Sequence, residues 1–595
     1  MDLPKTFEVG NYTECFLSGN QYCKFGAILK YPKDNLTLMN YVKSIYEDKT
    51  QRDPYLIHRE ICIPNTLSTC KESVYQFAIN SINEKLKYNI STSEITQSTC
   101  TNGTYEINTY DKIIVLLIIL YTSLVFISTY FDKYKRNRFR GYPDKFLLHF
   151  SLYRSWKNRT DISKNENYQK LLSMQGLRVY MMLIVFLLHL TFIYFNIPVK
   201  NPNYHRDLLY TGEAQYWSKY LLAWGTFIVL YFFVVSSWLA TVQLYKTFEN
   251  SGKITLRNVV VIIVNRYFRF ISAAIFISIF ISNWKYVVST PFNFDVMRYT
   301  DNSCQQDLLL NIFMMANFKY WKNICYPVTW SLSADFQMYI INVIVIYIIF
   351  KYKLNEFRVY FSMLVGFCFI NGFMIYWYNA GVIFNFDARE TKLFILDDSV
   401  DFAINYLSTF STASSSCIGI ILGVIYVNIK SKEFSNGNTL YSIVWFLLFL
   451  GLPIFAVVLS TREGTGFVTA IYGALVKPVY CLGLGIGVLG MALNLGGHMK
   501  KIYENKYVVF LSNFTFSGYI CHWALLHFLI SIHEPPTLSN GYIVTAYVIL
   551  SAASIIVAIF FTIFVEEPLL SLQKAILPQI KEQENIKNEM TKKML

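Results

Sequence analysis

Two ionisable residues, Arg178 and His189, lie in an otherwise apolar stretch that runs from Leu171 to Phe195. They are eleven residues apart, so a helix returns them to within about 20° of one face, with His189 about 16 Å farther along the axis. An ionisable group inside a membrane costs roughly 2.5–3.5 kcal/mol, so such residues usually face a cavity or a partner. One interpretation is therefore a functional imidazole, and the other is a neutral histidine that is hydrogen-bonded to a neighbouring helix.

Other apolar stretches also carry polar side chains that could serve chemistry. The segment YICHWALLHF contains His522 and, nearer its outer end, His527. The segment TWSLSADFQMY contains Asp335 and Gln337. Polar groups at membrane depth mark substrate pathways or partners on neighbouring helices, so these positions are candidates for one shared site.

Two arginines in the segment NRYFRF, Arg266 and Arg269, are three residues apart and therefore share a helix face. With Arg178 they would gather at the inner surface of the membrane. One interpretation is ordinary anchoring by basic residues. The other is a binding site for an anionic, phosphate-bearing donor, because guanidinium groups match phosphate geometry. In the segment VEEPLL, Glu566 and Glu567 lie at the cytoplasmic end of the last apolar stretch.

Long apolar helices must position these side chains. Of the 595 residues, 54% are hydrophobic and only 15% are charged, whereas typical soluble domains carry about 25% charged residues. Eleven stretches are long enough to span a bilayer, so the sequence predicts an all-α polytopic membrane protein. One of them contains the polar run STFSTASSSC, which we expect to be unwound or re-entrant and to line a cavity. The predicted spans are Ile113–Tyr130, Leu177–Ile197, Tyr220–Tyr245, Val259–Ser282, Val328–Phe350, Val359–Tyr378, Phe402–Val427, Leu440–Leu459, Phe467–Leu493, Tyr507–Ile530 and Tyr542–Val565.

The distribution of basic residues predicts the orientation of these spans. The loop from Phe131 to Gly176 contains 11 Lys or Arg residues and 4 Asp or Glu residues, so it should be cytoplasmic. Residues 1–110 and the acidic loop 380–401 then lie outside, and the C-terminus lies inside, in the plasma membrane or the endoplasmic reticulum. The net charge of +14 therefore reflects membrane topology and does not indicate nucleic-acid binding. The predicted units are an ectodomain at 1–110, a first span with its basic loop at 111–176, a main membrane domain at 177–570 and a tail at 571–595.

Residues 1–110 are predicted to form a small disulfide-bonded, glycosylated domain in an extracellular or lumenal space, because cysteines pair there and sequons are used there. The cysteine number is odd, and the segment MDLPKTFEVG lacks the apolar core of a signal peptide. We therefore expect an incomplete N-terminus, with one free thiol as the other interpretation. The candidate cysteines are Cys15, Cys23, Cys62, Cys70 and Cys100, with Cys304 and Cys325 as a further pair in a later outside loop, and the sequons begin at Asn11, Asn35, Asn89 and Asn102.

The ordered set of these motifs resembles the acyltransferase 3 superfamily, which consists of membrane enzymes that transfer acyl groups. The segment GLR…H, which ends at His189, is similar to the family's Arg-x10-His motif. The segments YFFVVSSWL, NRYFRF, TWSLSADFQMY, FLSNFTFSGYICH and VEEPLL follow in the family's order. The N-terminal part resembles the ectodomain of the nose-resistant-to-fluoxetine subfamily of animals, in GNYTECF, NQYC and ICIPNTLSTC. The resemblance covers nearly the whole chain and makes 177–570 an acyltransferase 3-like membrane domain.

The resemblance implies O-acyl transfer from acyl-CoA to a hydroxyl group of a lipid or another small acceptor. His189 would act as the general base, since imidazole exchanges protons near neutral pH. Asp335 would orient an imidazole, as carboxylates do in other acyl-transfer sites. The implied catalytic residues are His189, Asp335 and His522, and the implied substrate-binding residues are Arg178, Arg266, Arg269, Trp330 and Gln337. Of these, Trp330, Asp335 and His522 would line the cavity.

Several positions depart from the family's usual pattern. The chain has Gln175 and Leu230 where acids are usual, Ser237 for a glycine, no arginine near Thr412, and Lys477 for an arginine. These departures keep a second hypothesis open, a catalytically degenerate membrane protein that moves lipids or lipophilic drugs across epithelia. A receptor-like role for the ectodomain is a third. The retained arginine and histidine of the Arg-x10-His motif favour the enzyme.

No motif predicts a resident cofactor or metal. The sequence contains no HExxH, P-loop, GxSxG or paired CxxC pattern. Acyl-CoA would be a co-substrate rather than a bound cofactor. The expected partners are membrane lipids and a small lipophilic acceptor, without nucleic acid.

Overall fold

The structure of the chain is a computed structural model. It describes residues 3–8, 10–48, 53–67, 71–101, 107–134, 146–161, 166–197, 199–201, 203–209, 214–250, 255–287, 303–304, 307–318, 326–383, 400–429, 439–462, 464–531 and 535–578.

A small domain of strands and helices precedes the first long helix. Its four-stranded sheet has the order β1-β3-β2-β4, in which β2 is antiparallel to both of its neighbours. The side-chain oxygens of Asn11 and Asn35 accept backbone hydrogen bonds and so cap α1 and α2. The elements are β1 Phe7–Glu8, α1 Tyr12–Leu17, β2 Gln21–Lys30, α2 Leu36–Glu47, β3 Leu56–Ile63, α3 Lys71–Lys85 and β4 Ser91–Thr101.

Two disulfides hold this domain together. Cys15 of α1 is bonded to Cys62 of β3, and Cys23 of β2 is bonded to Cys100, its register partner on β4. The prediction of a small disulfide-bonded domain is therefore confirmed. Cys70 lies outside the described residues.

The structure describes some of the other cysteines and sequon asparagines that were predicted to lie outside the spans. Cys304 is disulfide-bonded, and Cys325 lies outside the described residues. Asn11, Asn35 and Asn89 are exposed, as a glycan acceptor must be. Asn102 lies outside the described residues, and glycosylation at all four sequons stays a prediction.

The rest of the described chain is helical, and the prediction of about eleven spans is confirmed. Ten helices are long and apolar enough to cross a membrane, and one bent pair of helices supplies the eleventh span. The helices are α4 Thr109–Tyr134, α5 Leu152–Thr160, α6 Glu166–Lys170, α7 Leu172–Asn196, α8 Asn203–Leu209, α9 Ala214–Ile228, α10 Leu230–Asn250, α11 Leu256–Val287, α12 Thr329–Tyr352, α13 Glu356–Trp377, α14 Thr409–Ile429, α15 Thr439–Ser460, α16 Phe467–Ala492, α17 Gly497–Tyr503, α18 Lys506–Ser512, α19 Thr515–Ser531, α20 Asn540–Phe561 and α21 Glu567–Ile576.

Two of these spans depart from a straight helix. Helices α18 and α19 meet at 70°, which places the start of α19 against the interior of the bundle. A wide turn, Ala403–Leu407, precedes α14. The expectation that STFSTASSSC is unwound is wrong, because the run is helical from Thr409 onward and is almost entirely buried. Its small hydroxyl side chains fit between packed helices, where neighbouring helices rather than lipid surround the backbone.

Glycines allow the central helices to approach closely. Helix α14 packs against α10 through Gly419 and Gly423, which have small-xxx-small spacing. A Cβ atom at Gly419 would lie 2.4 Å from the carbonyl oxygen of Val234. At the start of α7, a Cβ atom at Gly176 would lie 1.8 Å from the carbonyl oxygen of Tyr503. The start of α7 therefore packs directly against the end of α17.

The first long helix and the segment after it dock onto the last helices of the chain. The hydroxyl of Tyr121 donates to the carbonyl of Phe564 at 2.6 Å, and Nδ1 of His149 lies 2.7 Å from the hydroxyl oxygen of Ser571. Burial, together with the charge of Arg154, lowers the pKa of His149. The neutral imidazole is therefore favoured at this contact.

An ion-pair network strengthens the same docking. The guanidinium of Arg159, on α5, donates to the carboxylate of Glu566 and lies 3.6 Å from that of Glu567. It also donates to the carbonyl of Asn513 at 3.0 Å. The hydroxyl of Ser517 donates to Glu566 at 2.7 Å. The two glutamates thus bind a residue that precedes the main membrane domain.

Candidate active site

A cavity of about 290 Å³ lies between helices α7, α10, α11, α12 and α19. Its wall is aromatic and aliphatic, and its polar groups come mainly from arginine, serine, glutamine and aspartate side chains. An apolar pocket with a few convergent polar groups is the usual form of a small-molecule site. The lining residues are Arg178, Val229, Phe232, Phe233, Val235, Ser236, Leu239, Ala240, Gln243, Arg266, Arg269, Phe270, Ser331, Leu332, Asp335, Thr515, Phe516 and Tyr519.

Asp335 and Arg266 form an ion pair in this cavity. Oδ2 of Asp335 accepts a hydrogen bond from Nη2 of Arg266 at 3.0 Å and another from Ser236 at 2.9 Å. The guanidinium of Arg266 also lies 4.8 Å from the ring centre of Tyr339. The expectation that Asp335 orients an imidazole is therefore wrong, because its carboxylate is bound to a guanidinium and a hydroxyl.

The other two arginines have no carboxylate partner among the described residues. Nη1 of Arg178 donates to the neutral side chain of Gln175 at 2.9 Å. Arg269 lines the cavity and forms no ion pair within the described part of the chain. Three guanidinium groups therefore face one carboxylate, and the cavity carries excess positive charge. Such a site favours an anionic group that accepts several hydrogen bonds, such as a phosphate.

Two histidines that the sequence places 333 residues apart are in direct contact. Nδ1 of His189, on α7, lies 2.8 Å from Nε2 of His522, on α19, and the two rings are within 14° of parallel. Nδ1 of His522 lies 2.7 Å from the carbonyl oxygen of Tyr519. His522 is completely buried, whereas His189 remains partly accessible. Of the pair, His189 is therefore the more exposed imidazole.

Tyr519 connects the histidine pair to the cavity. Its ring lines the cavity, its carbonyl binds His522, and the two rings are 5.7 Å apart. Neither His189 nor His522 lines the cavity itself. The expectation that His522 lines it is wrong, since Tyr519 lies between.

Two further predicted residues, Trp330 and Gln337, lie outside the cavity lining. Trp330 is buried between the rings of Phe233 and Tyr406, at 5.9 and 4.8 Å. Gln337 donates to the carbonyl of Met314 at 2.8 Å and belongs to a polar cluster outside the cavity. Both were expected to bind substrate, and neither lines the cavity.

Three of the positions that depart from the family's usual pattern have defined contacts in the structure. Leu230 is buried in the main core, and Thr412 bonds to a carbonyl within its own helix. The ammonium of Lys477 donates to the carbonyl of Asn405 and to the hydroxyl of Ser411, so it holds the wide turn before α14.

Three residues of the site were not predicted individually. Ser236 bonds to the ion pair, Gln243 lines the cavity, and Tyr519 joins the cavity to the histidines. Ser236 lies in the segment YFFVVSSWL and Tyr519 in FLSNFTFSGYICH, so a polar residue within an apolar segment was the available signal. No local pattern showed which of these residues face inward.

The fold and the site define a class of protein: a polytopic helical membrane protein with two histidines in contact and an arginine-lined cavity. The chain belongs to the acyltransferase 3 family, because the model of that acyltransferase domain matches residues 171–565, more than half of the chain. No curated protein and no solved structure matches the chain. It is therefore a multi-pass membrane protein of acyltransferase type.

Proposed function

We propose that this protein transfers an acyl group from acyl-CoA to a hydroxyl group of a lipid or another small lipophilic acceptor. The observation that carries the proposal is the partly accessible His189, hydrogen-bonded to His522. Through Tyr519, His522 is connected to a cavity with three arginines and one carboxylate. An imidazole can act as a general base near neutral pH. An excess of guanidinium groups suits the phosphates of coenzyme A.

In the proposed reaction, His189 takes the proton from the acceptor hydroxyl as the oxygen attacks the thioester carbonyl. The new C–O bond forms, the C–S bond breaks, and the proton passes from His189 to the leaving thiolate, which gives free coenzyme A. Arg178 and Arg269 would bind phosphate oxygens, since neither is paired with a carboxylate among the described residues. Arg266 is held by Asp335 and would contribute less free charge.

The orientation and the cellular setting belong to the same proposal. The basic loop 131–176 would be cytoplasmic, so the arginine-lined cavity would receive acyl-CoA from the cytoplasm. The N-terminal domain would then be extracellular or lumenal and glycosylated, in the plasma membrane or the endoplasmic reticulum. The motifs GNYTECF, NQYC and ICIPNTLSTC support placement in the nose-resistant-to-fluoxetine subfamily.

The first test is acyl transfer by the full-length protein in nanodiscs, with radiolabelled acyl-CoA and a mixed lipid extract. We expect wild-type protein to transfer label to lipid. His189→Ala should lower the rate of transfer by about 100-fold or more, as the loss of a general base does. His498→Ala is the matched control, since His498 is exposed and lies outside the spans.

Two results would contradict the proposal. One is transfer that His189→Ala leaves unchanged. The other is no transfer by folded protein across a panel of acyl chain lengths and of lipid, sterol and sugar acceptors. Movement of a lipophilic compound without any transfer would favour the transport hypothesis instead.

A further inference from the structure

We propose that His522 sets the tautomer of His189, so that the lone pair that accepts a proton lies on Nε2 of His189. His522 would thus be a positioning residue, because it acts through His189 and not on the substrate. The inference rests on the proposed acyl transfer for its chemical meaning. The hydrogen-bond chain that carries it is a property of the protein alone.

The chain begins at the backbone of α19. The carbonyl oxygen of Tyr519 can only accept a hydrogen bond, and it lies 2.7 Å from Nδ1 of His522. Nδ1 of His522 must therefore carry a proton. A neutral imidazole carries one ring proton, so Nε2 of His522 is an acceptor.

The second step follows from the contact between the two rings. Nε2 of His522 lies 2.8 Å from Nδ1 of His189. Because Nε2 of His522 accepts, Nδ1 of His189 must donate. The single proton of a neutral His189 is then on Nδ1, and its Nε2 is left with a free lone pair.

The surroundings of the pair exclude the reverse arrangement. A reversed bond would need a second proton on His522, which is completely buried. The ring of Phe186 stacks on His522 at 4.7 Å, and Trp523 lies edge-on to His189 at 5.3 Å. No carboxylate forms an ion pair with either imidazole in the described chain, and an unpaired charge there would be strongly disfavoured.

The residue that orients the base histidine is an imidazole here, whereas in other acyl-transfer sites it is a carboxylate. In serine hydrolases a carboxylate accepts from the base histidine and fixes its tautomer. Here Asp335, the carboxylate that lines the cavity, is bound to Arg266. A neutral imidazole, held by a backbone carbonyl, takes over the orienting contact.

The direct test is nitrogen-15 NMR of the full-length protein in nanodiscs, with histidine ring nitrogens labelled and His189→Gln used for assignment. We expect His189 to be protonated on Nδ1 and unprotonated on Nε2. His522→Phe should release this preference, so that both tautomers appear. His522→Gln should retain it, because its side-chain carbonyl can still accept. His527→Phe, on the same helix, is the control and should change nothing.

The kinetics of acyl transfer by the same variants provide a second test. We expect His522→Phe to lower kcat by roughly 100-fold with little change in KM for acyl-CoA, and His522→Gln to recover most of the loss. A His189 that carries its proton on Nε2 in the wild type would overturn the inference. So would a tautomer that His522→Phe leaves fixed. If that variant does not fold, the wild-type and His522→Gln spectra still decide.

The two proposals fail in different ways. The predicted tautomer without any acyl transfer would leave this inference standing and remove the proposed function. Transfer that depends on His189, with a tautomer independent of His522, would do the opposite.

Discussion

The partner of Arg178 is an amide, and this determines the charge of the cavity. Gln175 accepts from Arg178 at 2.9 Å without cancelling its charge. An acid at this position would remove one positive charge from a cavity in which three arginines meet one carboxylate. The glutamine that departs from the family's usual sequence therefore leaves the charge of Arg178 uncancelled.

Gln175→Glu should weaken the binding of acyl-CoA. A carboxylate beside Arg178 would repel phosphate, and we expect the Kd to rise about tenfold at low salt. Isothermal titration of the nanodisc protein with acyl-CoA measures this change, and the difference should shrink at high ionic strength.

Gln175→Met is the matched control, since it removes the hydrogen bond without adding charge. Its Kd should stay within about threefold of the wild type, because the substitution adds no charge that would repel phosphate. Equal weakening by both variants would show that the shape of this position matters and its charge does not.

Sequence reasoning identified the residue types of the site better than their contacts. Arg178, Arg266, Arg269 and Asp335 do line one cavity. The carboxylate was assigned to the wrong partner because Arg266 and Asp335 are 69 residues apart, and no pattern reports which side chains meet over that distance. The contact between the two histidines depends on the packing of α7 against α19 and was equally out of reach.

At the scale of helices, the packing of α14 against α10 depends on glycine. Gly419→Ala should destabilise the membrane domain by about 1–3 kcal/mol, as other overpacking changes do. The added methyl group would meet the backbone of Val234, which cannot rotate away. A lower melting temperature of the nanodisc protein would show the effect.

Gly366→Ala is the control for this prediction. Gly366 lies on α13, and a Cβ atom there would have no neighbour within 4 Å. It should leave the melting temperature unchanged or raise it slightly, because alanine favours a helix over glycine by about 1 kcal/mol. A Gly419→Ala variant as stable as Gly366→Ala would contradict the close approach of α14 and α10.

The spans were predictable because hydropathy reports directly on lipid as a solvent. Every predicted stretch corresponds to a long apolar helix or to the bent pair. The polar run before Cys417 was misjudged because its serines face other helices, and hydropathy does not distinguish a protein neighbour from a water-filled cavity. The 70° bend between α18 and α19 left no signal in composition.

At the scale of the whole molecule, the two disulfides should make the N-terminal domain separately sensitive to reduction. They close loops with sequence separations of 47 and 77 residues, and each contributes roughly 2–5 kcal/mol, a large share of a small domain's stability. We expect reductant to speed amide hydrogen exchange in β2, β3 and β4 and to leave the spans protected.

Hydrogen-exchange mass spectrometry with and without reductant checks this expectation. Cys23→Ser with Cys100→Ser should reproduce the effect without reductant. The peptides around the buried free cysteines Cys417 and Cys481 serve as the internal control. Unchanged protection of the strands after reduction would show that the sheet is stable without the cross-links.

The docking of α4 and α5 onto the end of the chain has a consequence for biosynthesis. Tyr121, His149 and Arg159 meet partners that are 443, 422 and 407 residues later. At the fastest usual rate of translation, those partners emerge from the ribosome about 20 s afterwards. The first span must stay in the bilayer for that time without these C-terminal partners. A nascent chain that stops before α20 lacks Glu566 and Glu567, so Arg159 cannot form its ion pairs until the last span has been made.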